Sequence, residues 1–440
     1  MIRRDFLSQS AGALTAFTLA PASALASSAT AAHGIAARVD AALARHSARA
    51  GSAALAEDEA FWAEIRRAFT LEPAVLNLDH GWTNPAPTAA VNELVERARA
   101  LEALPAERLM GFWEGVTNTT VRAALAETLG VPGSEIALVR NATEALDTVL
   151  LGVPLHRGDE VVCSAHDYYA MLDALEQRQA RDGIVLRRVH PPVPAPSLEA
   201  LAELYEAAIG PRTRLVLLTH PSNLTGQLLP VARIAAAAHR VGAEVVVDGA
   251  QSLGLFEESV ASLGCDYYGA SAHKWLGGPV GMGVLWMRPE HTAKVWPLVP
   301  SPPGTTGMAR YEWIGTGPEY VGPALLPALA LHRSVGAARK AARLRYLSAW
   351  FRQRAEASLT GARFYTLPDA AMSCGLCVLE LPGRDHLAIE QHLRSQAGIL
   401  VQAMGRQPRA PEIRGLRVSP NVYTTPAELD RLVAALVAAP

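Results

Sequence analysis

Lys274 lies in Ser271-Ala-His-Lys-Trp-Leu-Gly-Gly-Pro279, and 26 positions upstream Asp248 closes the apolar run of Ala243-Glu-Val-Val-Val-Asp-Gly-Ala-Gln251. A lysine attacks a carbonyl only when part of its population is neutral, and a shielded pocket disfavours the charged form. Trp275, Leu276 and the Gly277-Gly278 pair supply plausible shielding. Asp248 follows a β-branched run, so it belongs at the carboxyl end of a strand, where ligands gather in open α/β sheets. Taken singly, each reads more readily as a surface lysine or a strand-end turn aspartate, because short motifs match by chance. Their combination points to chemistry.

A third segment adds to it. Glu135-Ile-Ala-Leu-Val-Arg140 reads as a strand, and Asn141-Ala-Thr-Glu-Ala-Leu146 opens a helix. Thr143 and the first free amides of that helix would hold a phosphate. Simple capping by Asn141 or Thr143, with Glu144 complementing the dipole, explains the same residues. An imine-forming amine, a carboxylate for a pyridine nitrogen and hydroxyl and imidazole donors for a phosphate are what pyridoxal phosphate requires of its protein.

The elements between these segments alternate. Strands are expected over residues 160–164, 184–189, 214–219, 244–247, 266–270 and 283–287, with helices over 171–181, 197–208 and 231–241. This rhythm predicts a mostly parallel, doubly wound α/β sheet covered by helices. From about Pro323 a long Ala/Leu/Arg-rich helical stretch leads into alternating strands and a terminal helix over 426–438. The expected division is a signal segment (1–31), a helical arm (32–75), a large domain (76–322) and a small C-terminal domain (323–440).

From about Leu76 to the C-terminus the chain resembles class V of the aspartate-aminotransferase (fold type I) superfamily, nearest its isopenicillin N epimerase-like group. The resemblance is carried in order by several segments. They are Asn77-Leu-Asp-His-Gly-Trp-Thr-Asn-Pro85, the turn at Asn141–Ala145, Ser164-Ala-His-Asp-Tyr168 and His220-Pro-Ser-Asn-Leu-Thr-Gly226. The Asp248/Gln251 pair, Ser271-Ala-His-Lys274, Tyr311-Glu-Trp-Ile-Gly-Thr316 and Arg417-Val-Ser-Pro-Asn-Val-Tyr423 complete the set. It implies a fold type I pyridoxal phosphate enzyme with a mostly parallel seven-stranded sheet, residue 283 starting an antiparallel strand, and a small α+β domain. It also implies roles. Lys274 would bind the cofactor as an imine, Asp248 its ring nitrogen, and Gln251 its ring hydroxyl. Ala142, Thr143, Ser271 and His273 would hold the phosphate, and Asn223 would lie near the ring oxygen. His166 would stack on the ring, a role Tyr168 and Tyr169 are near enough to contest. Thr316 would reach the phosphate of a neighbouring subunit, so a homodimer with shared sites is implied. Arg417 would bind the substrate α-carboxylate through a planar fork of donors that stays charged. Asn84 and Trp82 would border the substrate, with His80, Phe112, Trp113 and Tyr311 near the pocket mouth. Cysteine desulfurases, neighbours within the class, carry a nucleophilic cysteine shortly before this arginine. Between Cys377 and Arg417 the present chain has none.

Composition narrows the class. The 440 residues suffice for a large and a smaller domain, half are hydrophobic, 19% are charged and the formal net charge is -2. That balance gives no electrostatic footprint for nucleic acid. Partners should be small amino acids or peptides and a second copy of the chain. No metal site is expected. Cys374-Gly-Leu-Cys377 falls in an expected strand over 373–381, where positions three apart point to opposite faces. Both read as core residues, with a disulfide as the minority alternative. At the N-terminus, Met1-Ile-Arg-Arg-Asp-Phe-Leu-Ser8 precedes an apolar stretch with acceptable cleavage sites at Ala24-Leu-Ala26 and Ala29-Thr-Ala31. It reads as a twin-arginine export signal, which implies a periplasmic protein with no membrane span after cleavage. The functional expectation is an enzyme working at the α-carbon of an amino acid or of a peptide bearing one, by epimerisation, transamination or lyase chemistry. The alternative is a non-catalytic cofactor-binding protein on the same fold.

Overall fold

The computed structural model describes residues 20–46, 55–113 and 116–440. Its strands run β1 (Leu76–Asn77), β2 (Ile136–Val139), β3 (Glu160–Ser164), β4 (Val185–Val189), β5 (Thr213–Thr219), β6 (Glu244–Asp248), β7 (Tyr267–Ser271) and β8 (Gly283–Met287). The remainder are β9 (Arg363–Phe364), β10 (Cys377–Glu380), β11 (Ile399–Leu400), β12 (Gln402–Met404) and β13 (Gly415–Val418). The helices that matter for the site are α1 (Ala20–His46), α2 (Glu59–Arg66), α3 (Thr88–Ala103), α4 (Ala142–Gly152), α5 (Tyr169–Asp182), α6 (Leu326–Val335), α7 (Ala337–Ser358) and α8 (Pro426–Ala438).

Seven strands form one sheet in the order β2-β8-β7-β6-β5-β3-β4. The five from β7 to β4 pair in parallel, and β8 runs antiparallel to both β2 and β7. Alternation along each strand explains why both faces are covered, since successive side chains leave opposite sides of a pleated sheet. Val245 and Val247 of β6 and Val216 and Leu218 of β5 enter one buried cluster with Ile234 and Leu329. Val246, Leu215 and Leu217 enter the opposite one, against Leu146 and Val149 of α4 and Leu172 and Leu175 of α5. The carboxyl ends of β3, β5, β6 and β7 therefore open along one edge, carrying Ser164, Thr219, Asp248 and Ser271.

A four-stranded antiparallel sheet, β12-β13-β10-β9, follows α6 and α7. Its buried face packs Leu379, Leu416 and Val418 against Leu347 and Phe351 of α7 and Leu429, Leu432 and Leu436 of α8. α8 starts sharply because Thr425 and Glu428 form a reciprocal capping box with Pro426 at the first turn. The chain near residue 76 joins this part of the molecule: β1 pairs with β11, and Asp79 bridges to Ser419.

Two expectations are revised. The strand foreseen from residue 373 begins only at Cys377, because Gly375 at φ +74° turns the chain out of extended conformation. Cys374 and Cys377 are buried free thiols in two different apolar clusters, so they are core residues rather than a disulfide. The helical stretch after Pro323 is interrupted at Gly336, which lies at φ +85° between α6 and α7.

α1 begins at Ala20 and continues through both cleavage sites read from the sequence. Ile35, Val39 and Ala42 pack with Phe61 and Trp62 of the α2 region and Leu331 of α6, and Ser28 receives a hydrogen bond from Arg97 Nε at 3.2 Å. Arg3 and Arg4 lie outside the described residues. Among the described residues no helix is long and apolar enough to cross a membrane.

Candidate active site

The chain contains three lysines. Lys294 is paired with Glu244. Lys340 is buried and donates to the Trp275 carbonyl at 2.7 Å, with His332 Nδ1 at 3.2 Å. Lys274 has no such partner among the described residues. It follows β7 in a turn held by Gly277 N to Lys274 O and by Gly278 N to Ala272 O. Burial pushes its amine down to about 8, opposed by the attraction of Asp248 and assisted by repulsion from Arg417. Those charges act on Lys274 because the fold brings the turn after β7, the end of β6 and β13 close enough for them to be felt at its amine.

Asp248 ends β6 and is buried. Burial raises its carboxyl above the usual range, while the Ala250 amide at 3.0 Å and the positive charge of Lys274 act the other way. Such a carboxylate can be satisfied by a cationic ring nitrogen, which would restore its charged form. Gln251, three residues on, accepts from Trp275 Nε1 at 2.7 Å and donates to Gly81 O at 2.8 Å, leaving one amide hydrogen available. It thereby ties the strand-end turn of Asp248 to the Lys274 turn and to the segment around residue 81.

The elements expected to bind an anion meet at the start of α4. Asn141 caps that helix by accepting from Glu144 N at 2.9 Å, so capping, one of the two sequence readings, is present. The Ala142 amide donates to Ser271 Oγ at 2.8 Å, and the Ser271 hydroxyl retains its own proton for an acceptor. Thr143 sits one residue further on, in the first turn. β8 must pass close to this turn. A Cβ at Gly283 would meet Asn141 Cα at 2.7 Å, so only glycine fits there. His273, next to Lys274, has its imidazole pushed down to about 4 by burial, and its Nδ1 is buried without a hydrogen-bond partner among the described residues.

Arg417 is buried on β13. Its Nη2 meets Asp79 Oδ1 at 2.7 Å and its Nη1 donates to the Asn223 carbonyl at 2.9 Å, while its Nε is buried and unsatisfied. Asn223 Oδ1 is likewise buried without a partner. Three polar atoms on His273, Asn223 and Arg417 are thus buried without a partner among the described residues, on Lys274's neighbour in the chain, on the arginine whose charge it feels and on the residue that arginine contacts. Buried polar groups are normally paired, so their donors and acceptors fit a polar cofactor and substrate. Asp79 has no role in the sequence reading, although it stands inside the Asn77–Pro85 segment. The structure assigns it to Arg417.

His166 is buried just past β3, and its Nε2 lies 2.6 Å from Glu412 Oε1. Burial lowers its pKa, against the raising effect of Glu412. Tyr168 and Tyr169 instead pack against each other as a tilted pair, with ring centroids 4.5 Å apart. The neighbouring Asp167 is buried and accepts from Ser164 N and from Thr219 N and Oγ1, so it fastens β3 to β5.

The remaining sequence candidates divide. Asn84 is buried with its amide committed to His80 O and Asn421, so it shapes the segment. Trp82 is 64% exposed. His80 is buried beside Tyr423 and kept neutral, its pKa driven to about 3. Tyr311 anchors to Thr292 O and Val295 O and acts in packing. Thr316 is exposed, on a loop remote in sequence from the Lys274 turn. The Phe112 and Trp113 side chains lie outside what is described. Glu412 and Lys340 carry no local sequence signal; each is joined to its partner only by the tertiary fold.

Comparison with known proteins adds an independent line. Residues 78–432 match the family model described as aminotransferase class-V. The chain is 32% identical over 400 residues to the isopenicillin N epimerase of Amycolatopsis lactamdurans, covering 85% of this chain and 98% of that one. It is 33% identical over 327 residues to a probable cysteine desulfurase of Pseudomonas aeruginosa, covering 69% and 77%. Among solved structures, a C-DES mutant with glycine covalently linked to the PLP cofactor superposes with a TM-score of 0.73 at 26% identity, over 83% of this chain and 97% of that one.

Proposed function

The chain belongs to the class-V aminotransferase family, and from that premise we propose that it is an enzyme acting at the α-carbon of an amino acid, or of a peptide that bears one. Its cofactor is pyridoxal phosphate, which when bound supplies the electron sink that makes an α-proton removable. The observation that carries the reading is the convergence of one uncommitted, partly neutral lysine with a buried carboxylate and a buried arginine whose Nε lacks a partner.

The residues of this chain divide the work. Lys274 would anchor the cofactor, and its partly neutral amine would be the group that takes or returns a proton at the α-carbon. Asp248 would hold the ring nitrogen protonated. Thr143, His273 and the Ser271 hydroxyl, oriented by Ala142 N, would hold the phosphate, Gln251 the ring hydroxyl, and Asn223 the ring oxygen. His166 would cover the ring. Arg417, steered by Asp79 and the Asn223 carbonyl, offers Nε to a carboxylate.

Within this class we favour epimerisation. The epimerase relative is matched over nearly its whole length, and no cysteine stands between Cys377 and Arg417 to serve a persulfide route. Cys374 and Cys377 are buried core residues whose thiol pKa values are raised by burial. We further read the molecule as a homodimer, exported with its cofactor through the twin-arginine route and composed of the arm, large and small domains set out above. An exposed Thr316 is available to complete a neighbour's phosphate site. Export would also separate the enzyme from cytoplasmic amino acceptors, which disfavours transamination.

The test is incubation of the holoenzyme with single-enantiomer amino acids and peptides in deuterium oxide. Inverted product carrying deuterium at the α-carbon supports epimerisation. Stoichiometric keto acid or loss of carbon dioxide would instead assign a sister reaction. A protein that gives no spectral change with any amino compound would revert to the binding-protein reading.

A further inference from the structure

An epimerase needs proton transfer on two faces of the α-carbon, and Lys274 approaches from the β7 turn alone. His166 approaches from the β3 end. What surrounds His166 is not local to it. The segment between β12 and β13, residues 405–414, crosses from the four-stranded sheet to α5 and is fastened at both ends of its crossing. Arg409 Nη2 reaches Asp173 Oδ1 and Glu176 Oε2 on α5, each at 2.6 Å. Ala410 and Ile413 are buried with Tyr365 and Val378, the Tyr365 hydroxyl donates to Glu412 O at 3.2 Å, and Arg414 N donates to that hydroxyl at 3.3 Å. Between these anchors Glu412, its side chain 42% exposed, extends to the His166 ring, which is 7% exposed.

We propose that Glu412 is a positioning residue that fixes His166 as the tautomer with its proton on Nε2, leaving Nδ1 as the atom of that ring free for acid–base work. The inference rests on the α-carbon chemistry proposed above and adds its second proton-transfer group. A carboxylate accepts and cannot donate, so at 2.6 Å the Nε2 atom must carry the hydrogen, and the lone pair falls to Nδ1. The same carboxylate favours the protonated imidazole. Burial and the nearby His190 oppose it, and Asp167 on the same turn is occupied with Ser164 and Thr219. Loss of the Glu412 charge should therefore lower the His166 pKa. A contact that only held the 405–414 segment would leave the pH profile of turnover in place.

The test begins on the full chain without cofactor, with nitrogen-15-labelled histidine and His166 assigned by its loss in His166→Gln. The neutral ring should show hydrogen on Nε2, and Glu412→Gln, which keeps shape and an acceptor oxygen, should lower its titration midpoint by about one unit. In the holoenzyme the same variant should lose roughly 10–100-fold in kcat for α-proton exchange, as expected for weakened acid–base catalysis. KM should stay within about twofold, and the acid limb of the profile should move to lower pH with the midpoint. Hydrogen on Nδ1, or an unchanged midpoint in Glu412→Gln, overturns the proposal. Absence of α-proton exchange in the parent enzyme would fall on the functional reading instead, because the titration reads the pair on its own.

Discussion

At the residue scale, the decisive quantity is the proton affinity of Lys274. Its amine, held at about 8 by burial, is partly neutral at ordinary pH, whereas an exposed lysine is not. Only the neutral amine can attack the cofactor aldehyde. Capture of pyridoxal phosphate by the cofactor-free protein should accordingly slow by roughly tenfold for each pH unit below 8 and level off above it. Stopped-flow absorbance checks this, and a rate still climbing through pH 10 would mean that the amine is not shielded. Arg417 sets the second expectation. Its three nitrogens are divided among Asp79, the Asn223 carbonyl and an open Nε, a division that a lysine cannot reproduce. Arg417→Lys should raise KM for a free amino acid roughly 10–100-fold while cofactor binding persists, at about 1.4 kcal/mol per tenfold. Steady-state kinetics beside the cofactor absorbance would separate the two effects.

At the scale of elements, the site is a junction of strand ends and turns that brace one another. Gln251 links the β6 and β7 turns, Gly283 lets β8 graze the start of α4, and Lys340 supports the Lys274 turn from α7 through the Trp275 carbonyl. Lys340 has no carboxylate partner among its hydrogen bonds, and burial drives its pKa down to about 7. In the unfolded chain it would titrate near 10.4. Between those values the unfolded state binds the extra proton, so the folded state gains stability as pH rises from about 7 to 10 and loses that gain on acidification. Lys340→Met should abolish this slope. Urea unfolding at pH 7 and pH 9.5 should show the parent gaining up to a few kcal/mol more than the variant, at about 1.36 kcal/mol per pH unit. Equal gains would place the titration elsewhere.

These elements also mark how far the sequence could be read. β3, β8 and α8 fall where the sequence pattern predicts them, because β-branched runs act locally and so does the Thr425–Glu428 box that the structure shows. The antiparallel sense of β8 came from resemblance, as periodicity carries no direction. Gly375 and Gly336 redirected the chain against otherwise regular patterns. Lys274, Asp248 and Arg417 were legible because each sits in a motif. The pairs Arg417–Asp79, His166–Glu412 and Lys340–Trp275 were not, since they join segments 338, 246 and 65 positions apart. Such contacts exist only once the fold has formed.

At the scale of the whole molecule, the proposed export signal and the folded body meet within α1. The helix is continuous from Ala20, and its buried face is part of the packing around Phe61 and Trp62. A twin-arginine substrate crosses the membrane folded, which suits a protein that must acquire its cofactor first. Changing both Arg3 and Arg4 to lysine should leave cofactor-loaded enzyme inside the cell, as fractionation with cofactor absorbance would reveal. Normal export of the double variant would refute the twin-arginine assignment while leaving the active site untouched.

The chain's three lysines make the central claim unusually accessible to a single measurement. Borohydride reduction of the purified holoenzyme, followed by peptide mass mapping, fixes the cofactor to whichever amine held it. The pyridoxyl phosphate mass should appear on the Lys274 peptide alone and vanish in Lys274→Ala. Label on Lys294 or Lys340, or a reduced protein bearing none, would contradict the assignment.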